Sequence, residues 1–455
     1  MGKVRVLLII ALPVLLLAQQ SPLAPDVVLN HVTLIDVATS AVRRDMAIVI
    51  RGNRIAAVNR ANAIEIERNA RVVDLTGKFA IPGLVDMHNH VGTGADMPGP
   101  PIPGEESSRA MRQNLTQMLA SGFTTVFSTA HSDLREVADL RSASNVDGAA
   151  ISRYFSVGRA TSVVGGHASQ PRFGNYLPSG PEEARTNVRE LKATGVDGVK
   201  FIYSDQSHTG RPSVPVLSPE IMRAMIDEAH AVGLKAYVHA PTLRHAKEVL
   251  RAGADALVHS VADAPVDDEF IALMRKNSAS YTTTLSLYTA LADISAWMRR
   301  LEAIDERKLV PKEVYERYRS FDGAKIYHDF FGTFPPEHLR FARANVRRIF
   351  DAGIPVLAGT DTAVTGVLLG VSSQMELVLL VEAGLKPAEA LRTATLNAAR
   401  ALDRERDLGS VESGKLADVV ILDADPLNDI RNVTKIHRVV KGGIVYEPAQ
   451  LLVRR

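Results

Sequence analysis

The chain has 455 residues, no cysteine, and 53 basic against 51 acidic side chains, for a formal charge of +2. No basic run or basic-aromatic stripe occurs, which argues against nucleic acid and against a polybasic membrane patch. Without cysteine there is no disulfide and no cysteine-linked lipid, and the expected partner is a small molecule or short peptide.

At the N-terminus, Lys3 and Arg5 precede an apolar run from Val6 to Ala18, followed by Gln19, Gln20 and Ser21. A membrane-spanning helix needs roughly 20 apolar residues. The shorter run reads as a signal peptide over residues 1–18, cut near Ala18, and implies export to a periplasm or outside the cell. After its removal no membrane attachment is expected; an uncleaved anchor is the alternative. Residues 26–80 read as short strands at Val27–Leu29, Val32–Val37, Met46–Arg51, Arg54–Val58 and Arg71–Leu75, with turns at Gly52–Asn53 and Gly77.

From residue 81 to about 402 the pattern alternates. Strands are expected at Thr124–Phe127, Gly198–Ile202, Lys235–His239, Ala256–His259, Ser280–Leu285 and Pro355–Gly359. Helices are expected at Glu182–Thr194, Pro219–Val232, Leu243–Ala252, Asp267–Lys276 and Pro336–Ala352. With a first strand ending at His88, about eight such strands make an α/β chain with a parallel sheet closed as a (β/α)8 TIM barrel. Between His259 and Asp361 the chain is longer than two units of about 30 residues need. The excess, about 287–334, carries Trp297, Tyr315, Tyr318, Tyr327 and Phe331. It predicts a helical insertion over the active face, a lid or an oligomer contact. Asp418–Leu422, Ile436–Val440 and Ile444–Tyr446 read as strands again. Residues 26–80 and 403–455 are therefore expected to pack together as one small β-sandwich domain beside the barrel of 81–402.

Chemistry concentrates at the strand ends. His88 and His90 are two apart, so in a strand they face the same way and can bind one ion. Lys200 stands inside the apolar strand Val199-Lys200-Phe201-Ile202, where a charged amine is costly to bury and a neutral amine can take up carbon dioxide as a carbamate. His239 and His259 each close an apolar strand, and Asp361 ends another. Each has an ordinary structural reading too: a surface histidine pair, an edge lysine, a satisfied core histidine, a helix-capping aspartate. At the C-terminal ends of barrel strands all six converge on one face.

The motif residues are Pro82-Gly83-Leu84-Val85-Asp86-Met87-His88-Asn89-His90, Lys200, His239, His259 and Gly359-Thr360-Asp361. Ala394-Thr395-Leu396-Asn397-Ala398-Ala399 and Gly414-Lys415-Leu416-Ala417-Asp418 join them. With these the chain resembles the metal-dependent amidohydrolase superfamily, nearest its imidazolonepropionase-like and Xaa-Pro dipeptidase-like branch. The resemblance implies two divalent metal ions, commonly zinc. His88, His90 and Asp361 would hold the more buried ion, His239 and His259 the other, and carboxylated Lys200 would bridge them. It implies hydrolysis of an amide, dipeptide or cyclic amide by metal-activated water, with Asp361 as general base.

Substrate contacts are expected from His167 in Gly165-Gly166-His167, and from Tyr203 and His131. His208, His230, His245, His328 and His338 are expected at the surface. Thr125-Val126-Phe127-Ser128 and Ala240-Pro241-Thr242 depart from the dipeptidase-like pattern and weaken an Xaa-Pro assignment without touching the ligands. Ester, lactone or carbamate hydrolysis by the same site is the alternative activity. A non-catalytic binding protein would have no physical reason to keep a bridging lysine. A homo-oligomer is compatible with this sequence.

Overall fold

A computed structural model of the chain describes residues 26–91, 105–131, 133–332, 334–362 and 364–452. The expected leader lies outside the described residues.

Strands β1 (Val27–Ile35), β2 (Val42–Arg51), β3 (Arg54–Arg60), β4 (Arg71–Asp74) and β5 (Phe79–Pro82) come first. The region expected as two strands, Val27–Leu29 and Val32–Val37, is the single strand β1. It stays continuous through irregularities at Leu29/Val32 and Val32/Leu34, with His31 at φ 58°. A bulge of this kind absorbs an extra residue without ending the ladder. β5 was not anticipated, because four residues ending in proline carry little periodic signal.

The parallel strands follow: β6 (Leu84–Asn89), β7 (Phe123–Ser128), β8 (Arg153–Ser156), β9 (Val199–Ile202), β10 (Ala236–His239), β11 (Ala256–Leu257), β12 (Ser280–Thr282) and β13 (Val356–Leu357). Last come β14 (Val419–Leu422), β15 (Ile436–Lys441) and β16 (Ile444–Tyr446). β14 pairs antiparallel with β5, Val419 opposite Pro82 and Leu422 opposite Phe79, so both ends of the chain share one eight-stranded sheet. Gly83 alone separates β5 from β6. A Cβ there would lie 2.1 Å from Thr124 Oγ1, so only glycine lets the chain pass that close to β7 on its way into the parallel strands.

The fold is mixed α/β. β6, β7 and β8 form one parallel sheet, and β9 to β13 form another in the order β13-β12-β11-β10-β9. Backbone hydrogen bonds join the two on both sides. Met87 N donates to Ala358 O at 2.9 Å on one, and Thr161 N donates to Lys200 O at 2.9 Å on the other. Helices between the strands start where the sequence supplies caps: Ser218 Oγ accepts from Ile221 N, and Thr242 Oγ1 from His245 N.

Alternate strand residues enter two apolar clusters. Val199, Phe201, Val238, Leu257 and Val356 pack with the helices. Val85, Met87, Phe127, Tyr237, Val258 and Leu357 form a second cluster. Full burial of one such side chain is worth roughly 1.5–3 kcal/mol. This period-two division sends Lys200, between Val199 and Phe201, to the side of the second cluster, and His239 with Tyr237.

The stretch after β12 holds four helices, Leu285–Ala292, Ile294–Ile304, Lys312–Arg319 and Phe321–Phe331. Trp297, Tyr315, Tyr318 and Tyr327 are buried within the chain. Trp297 Nε1 donates to Gly366 O at 2.8 Å, and Gly366 N donates to Tyr318 Oη at 3.1 Å. These helices thus hold the loop that follows Asp361.

Candidate metal centre

β6 and the residue just past its end deliver the first two imidazoles. The His88 ring is fully buried, with Nδ1 2.5 Å from Val258 O. A carbonyl only accepts, so Nδ1 carries the proton and Nε2 presents a lone pair. That Nε2 lies 3.1 Å from Asp361 Oδ1 and 3.3 Å from Lys200 Nζ. His90 brings its Nε2 to 2.8 Å from the same carboxylate oxygen.

Asp361 Oδ1 is buried, and despite these two close nitrogens no hydrogen bond reaches it. For His88 the reason is the tautomer: Nε2 has no hydrogen to give. Acceptors that face one another this closely repel unless a cation lies between them. His259 adds a third imidazole, its ring centroid 4.5 Å from His88 and 4.3 Å from His239. Its Nδ1 lies 3.0 Å from Thr284 Oγ1. One donor atom from each of His88, His259 and Asp361 falls within 4.8 Å of the other two. His239 Nε2 is buried without a partner. Neutral imidazole and carboxylate are ordinary donors to a divalent cation, so the residues present fit one.

The protonation states agree. Burial, with Lys200 nearby, lowers His88 to about 4. Burial also takes His239 and His259 well below the usual imidazole value. All three are therefore neutral and able to ligate at neutral pH. Burial pushes Lys200 down to about 8 against the pull of Asp361.

The backbone around Asp361 is under constraint. Asp361 has φ 67°, a left-handed position uncommon outside glycine. Its N–H donates to His88 O at 2.8 Å. Gly359 lets β6 and the end of β13 approach: a Cβ there would lie 2.8 Å from both His88 N and His88 Cβ. Beneath the cluster sits Asp86, which sequence reasoning quoted in a motif but gave no part. It accepts from His88 N (3.1 Å), Thr360 N (3.3 Å), Thr360 Oγ1 (2.7 Å) and Ser373 Oγ (2.7 Å). Burial raises it to about 6 against those four bonds. Its signal in the sequence was an acid inside an apolar strand, two residues before His88.

Of the three expected substrate contacts, His167 meets the cluster. Its ring packs edge-on against His239 with centroids 4.8 Å apart, and its Nδ1 is buried without a partner. His131 Nε2 is bonded to Glu136 Oε2 at 3.1 Å. Tyr203 packs against His245, 5.2 Å between centroids, with Glu248 beside its hydroxyl. Two surface expectations are corrected. His208 and His245 are buried, because the turn Ser207–Thr209 and the inner face of helix Leu243–Arg251 fold inward. A polar context hid this: Arg244 beside His245 points outward while the His245 ring points in. His230 and His328 are exposed and His338 is half-buried.

Comparison with known proteins agrees in kind. The amidohydrolase family matches residues 79–445. A dihydroorotase of Anaeromyxobacter sp. (strain K) is 27% identical over 400 residues, 83% of this chain and 84% of that protein. An ochratoxinase of Aspergillus niger is 24% identical over 440 residues, 89% of this chain and 83% of that protein. Among solved structures, a Xaa-Pro dipeptidase with methionine bound in its active site superposes with a TM-score of 0.73 at 26% identity, over 93% of this chain and 100% of that one.

Proposed function

The chain belongs to the amidohydrolase family and is a hydrolase acting on carbon–nitrogen bonds; from that premise we propose an exported, binuclear metal-dependent hydrolase of an amide, a dipeptide or a cyclic amide. The observation that carries the reading is the convergence of His88 Nε2 and His90 Nε2 on one Asp361 oxygen that no hydrogen bond reaches. In this reading His88, His90 and Asp361 would hold one ion, His239 and His259 the other, and Lys200 as a carbamate would be the group shared between them. A lysine amine brought down to about 8 is neutral in a far larger fraction than an exposed one, and the neutral amine is the form that adds carbon dioxide. The architecture is read as a (β/α)8 barrel over 81–402, supported by the backbone bonds on both sides of the two parallel sheets. The sheet formed by 26–80 and 403–455 is read as a sandwich-like second domain. Export rests on residues 1–18, and amino-terminal sequencing of protein recovered from the periplasm or medium tests it.

The ions, when bound, lower the pKa of water and polarise a carbonyl. The chain's own groups then act as follows. The His88 tautomer is fixed by Val258, so its lone pair stays aimed at the cluster. Asp361, anchored through its N–H to His88 O, takes a proton from the attacking water. It delivers that proton to the leaving nitrogen as the C–N bond breaks and the new C–O bond forms. No covalent intermediate with the protein is needed. His167, edge-on to His239, is read as a side chain that touches substrate. The deep burial of His88, His259 and Asp361 excludes bulk water and strengthens every charge interaction there.

Elemental analysis of the wild type and of Lys200→Ala tests the reading. About two zinc-like ions per wild-type chain, falling to one or fewer in the variant, would support it. One ion or none in both would end the binuclear mechanism.

A further inference from the structure

Thr284 opens the buried helix Leu285–Ala292 from a left-handed conformation, φ 47° and ψ 39°. That is a strained position for a β-branched residue, and it persists only if its surroundings impose it. A threonine at a helix N-cap ordinarily accepts from the second or third helical N–H. Thr284 makes no such bond. Its hydroxyl lies instead 3.0 Å from His259 Nδ1.

Another side chain takes over the vacated role. Glu376, on the helix Val371–Glu382, is fully buried. It accepts from Leu285 N at 2.9 Å and from Ser286 N at 2.7 Å. The same carboxylate accepts from the hydroxyl of Thr283 at 2.5 Å. It therefore grips the residue before Thr284 and the two after it. Thr284 N donates to Gly359 O at 3.0 Å, tying the turn to the strand end that carries Asp361. Nothing in the proposed reaction uses Glu376, yet a buried carboxylate is costly to maintain and calls for a reason.

We infer that Glu376 is a positioning residue of the metal centre: it caps the helix Leu285–Ala292 in place of Thr284, leaving the Thr284 hydroxyl to accept the Nδ1–H of His259 and so aim His259 Nε2 at the cluster. The inference rests on the metal-centre reading above. It gives His259 the same kind of support that the Val258 carbonyl gives His88, an acceptor that fixes tautomer and ring orientation. It also explains why the strained conformation of Thr284 is kept: a relaxed threonine would cap its own helix and turn its hydroxyl away from His259.

The test compares wild type, Glu376→Gln, Thr284→Val and the double variant. Two quantities are read: the zinc dissociation constants by competition with a chelator, and the ring nitrogen chemical shifts of His259 in the metal-free protein, assigned by difference from His259→Gln. Each single variant is expected to weaken the weaker zinc site about 10- to 100-fold and to lose the Nδ1–H signature of His259. The double variant is expected to be no weaker than the worse single one, because both act through the same hydroxyl. A folded Glu376→Gln with wild-type zinc affinity and an unchanged His259 signature overturns the inference, and so does additivity in the double variant. If Glu376→Gln does not fold, Thr284→Val decides alone: wild-type affinity with an unchanged His259 signature overturns it. A wild type that binds no zinc would end the metal reading instead, and the His259 signature in the metal-free protein would still decide the part played by Glu376.

Discussion

Replacing Gly359 with alanine adds one methyl group at the tightest point of the site. The new Cβ would lie 2.8 Å from His88 N and Cβ and 2.5 Å from Thr282 Cγ2. Carbon atoms in contact rest at about 3.5–4.0 Å, so β6 would have to retreat by roughly 0.7 Å or more. His88 travels with it, while metal–ligand distances tolerate only about 0.2 Å. Overpacking of this sort costs about 1–3 kcal/mol of stability, and a misplacement approaching 1 Å costs on the order of 100-fold in rate. The variant is therefore expected to fold, to melt a few degrees lower, and to lose zinc affinity and about 100-fold in kcat/KM. Gly353→Ala is the control. Gly353 has φ 76° and nothing within 4 Å of a built Cβ, so alanine there meets backbone strain alone, about 1–2 kcal/mol, with the site undisturbed. Chelator competition and thermal unfolding on the two variants give the answer. Wild-type zinc affinity in Gly359→Ala, or an equal loss in Gly353→Ala, would refute the steric reasoning.

Other expectations can be checked directly. Lys200→Ala should lower bound metal from about two ions to one or fewer by elemental analysis. Asp361→Asn should cut kcat/KM by about 100- to 10,000-fold as the proton shuttle is removed, and an active Asn variant would transfer the general-base role elsewhere. Glu376 gives a pH dependence with a definite sign. Burial raises it to about 7 from the ordinary 4.5, so the folded chain holds its proton more tightly than the unfolded one. Its contribution to stability is fully present below pH 4.5 and is lost as pH rises to about 7. At 1.36 kcal/mol per pKa unit the loss is at most about 3 kcal/mol. Urea unfolding at several pH values should show the wild type losing stability relative to Glu376→Gln across that window, and parallel curves would contradict it.

Much of the candidate site could be read from the residues in order. A polar or ionisable side chain inside an otherwise apolar strand carries a strong local signal, because burial is costly without a purpose. That is why His88, His90, Lys200, His239, His259 and Asp361 stood out, and the spacing of strands and helices around them implied parallel strands. Asp86 gave the same signal but received no role, since its partners Thr360 and Ser373 lie far along the chain. His208 and His245 were misplaced for the opposite reason: Ser207, Thr209 and Arg244 beside them are polar, and inward folding of a turn and of one helix face depends on what packs above them.

The sequence by itself determined the periodic elements, the apolar strand cores and the set of side chains with metal-binding chemistry, because these follow from local pattern and from the cost of burying polar groups. Only the tertiary structure decided which atoms meet. It set the His88 tautomer through a carbonyl 170 residues away, brought Asp361 to both His88 and His90, and set Glu376 over the turn that carries Thr284. Those contacts join segments with no local signal for one another, so their geometry exists only once the strands are packed side by side.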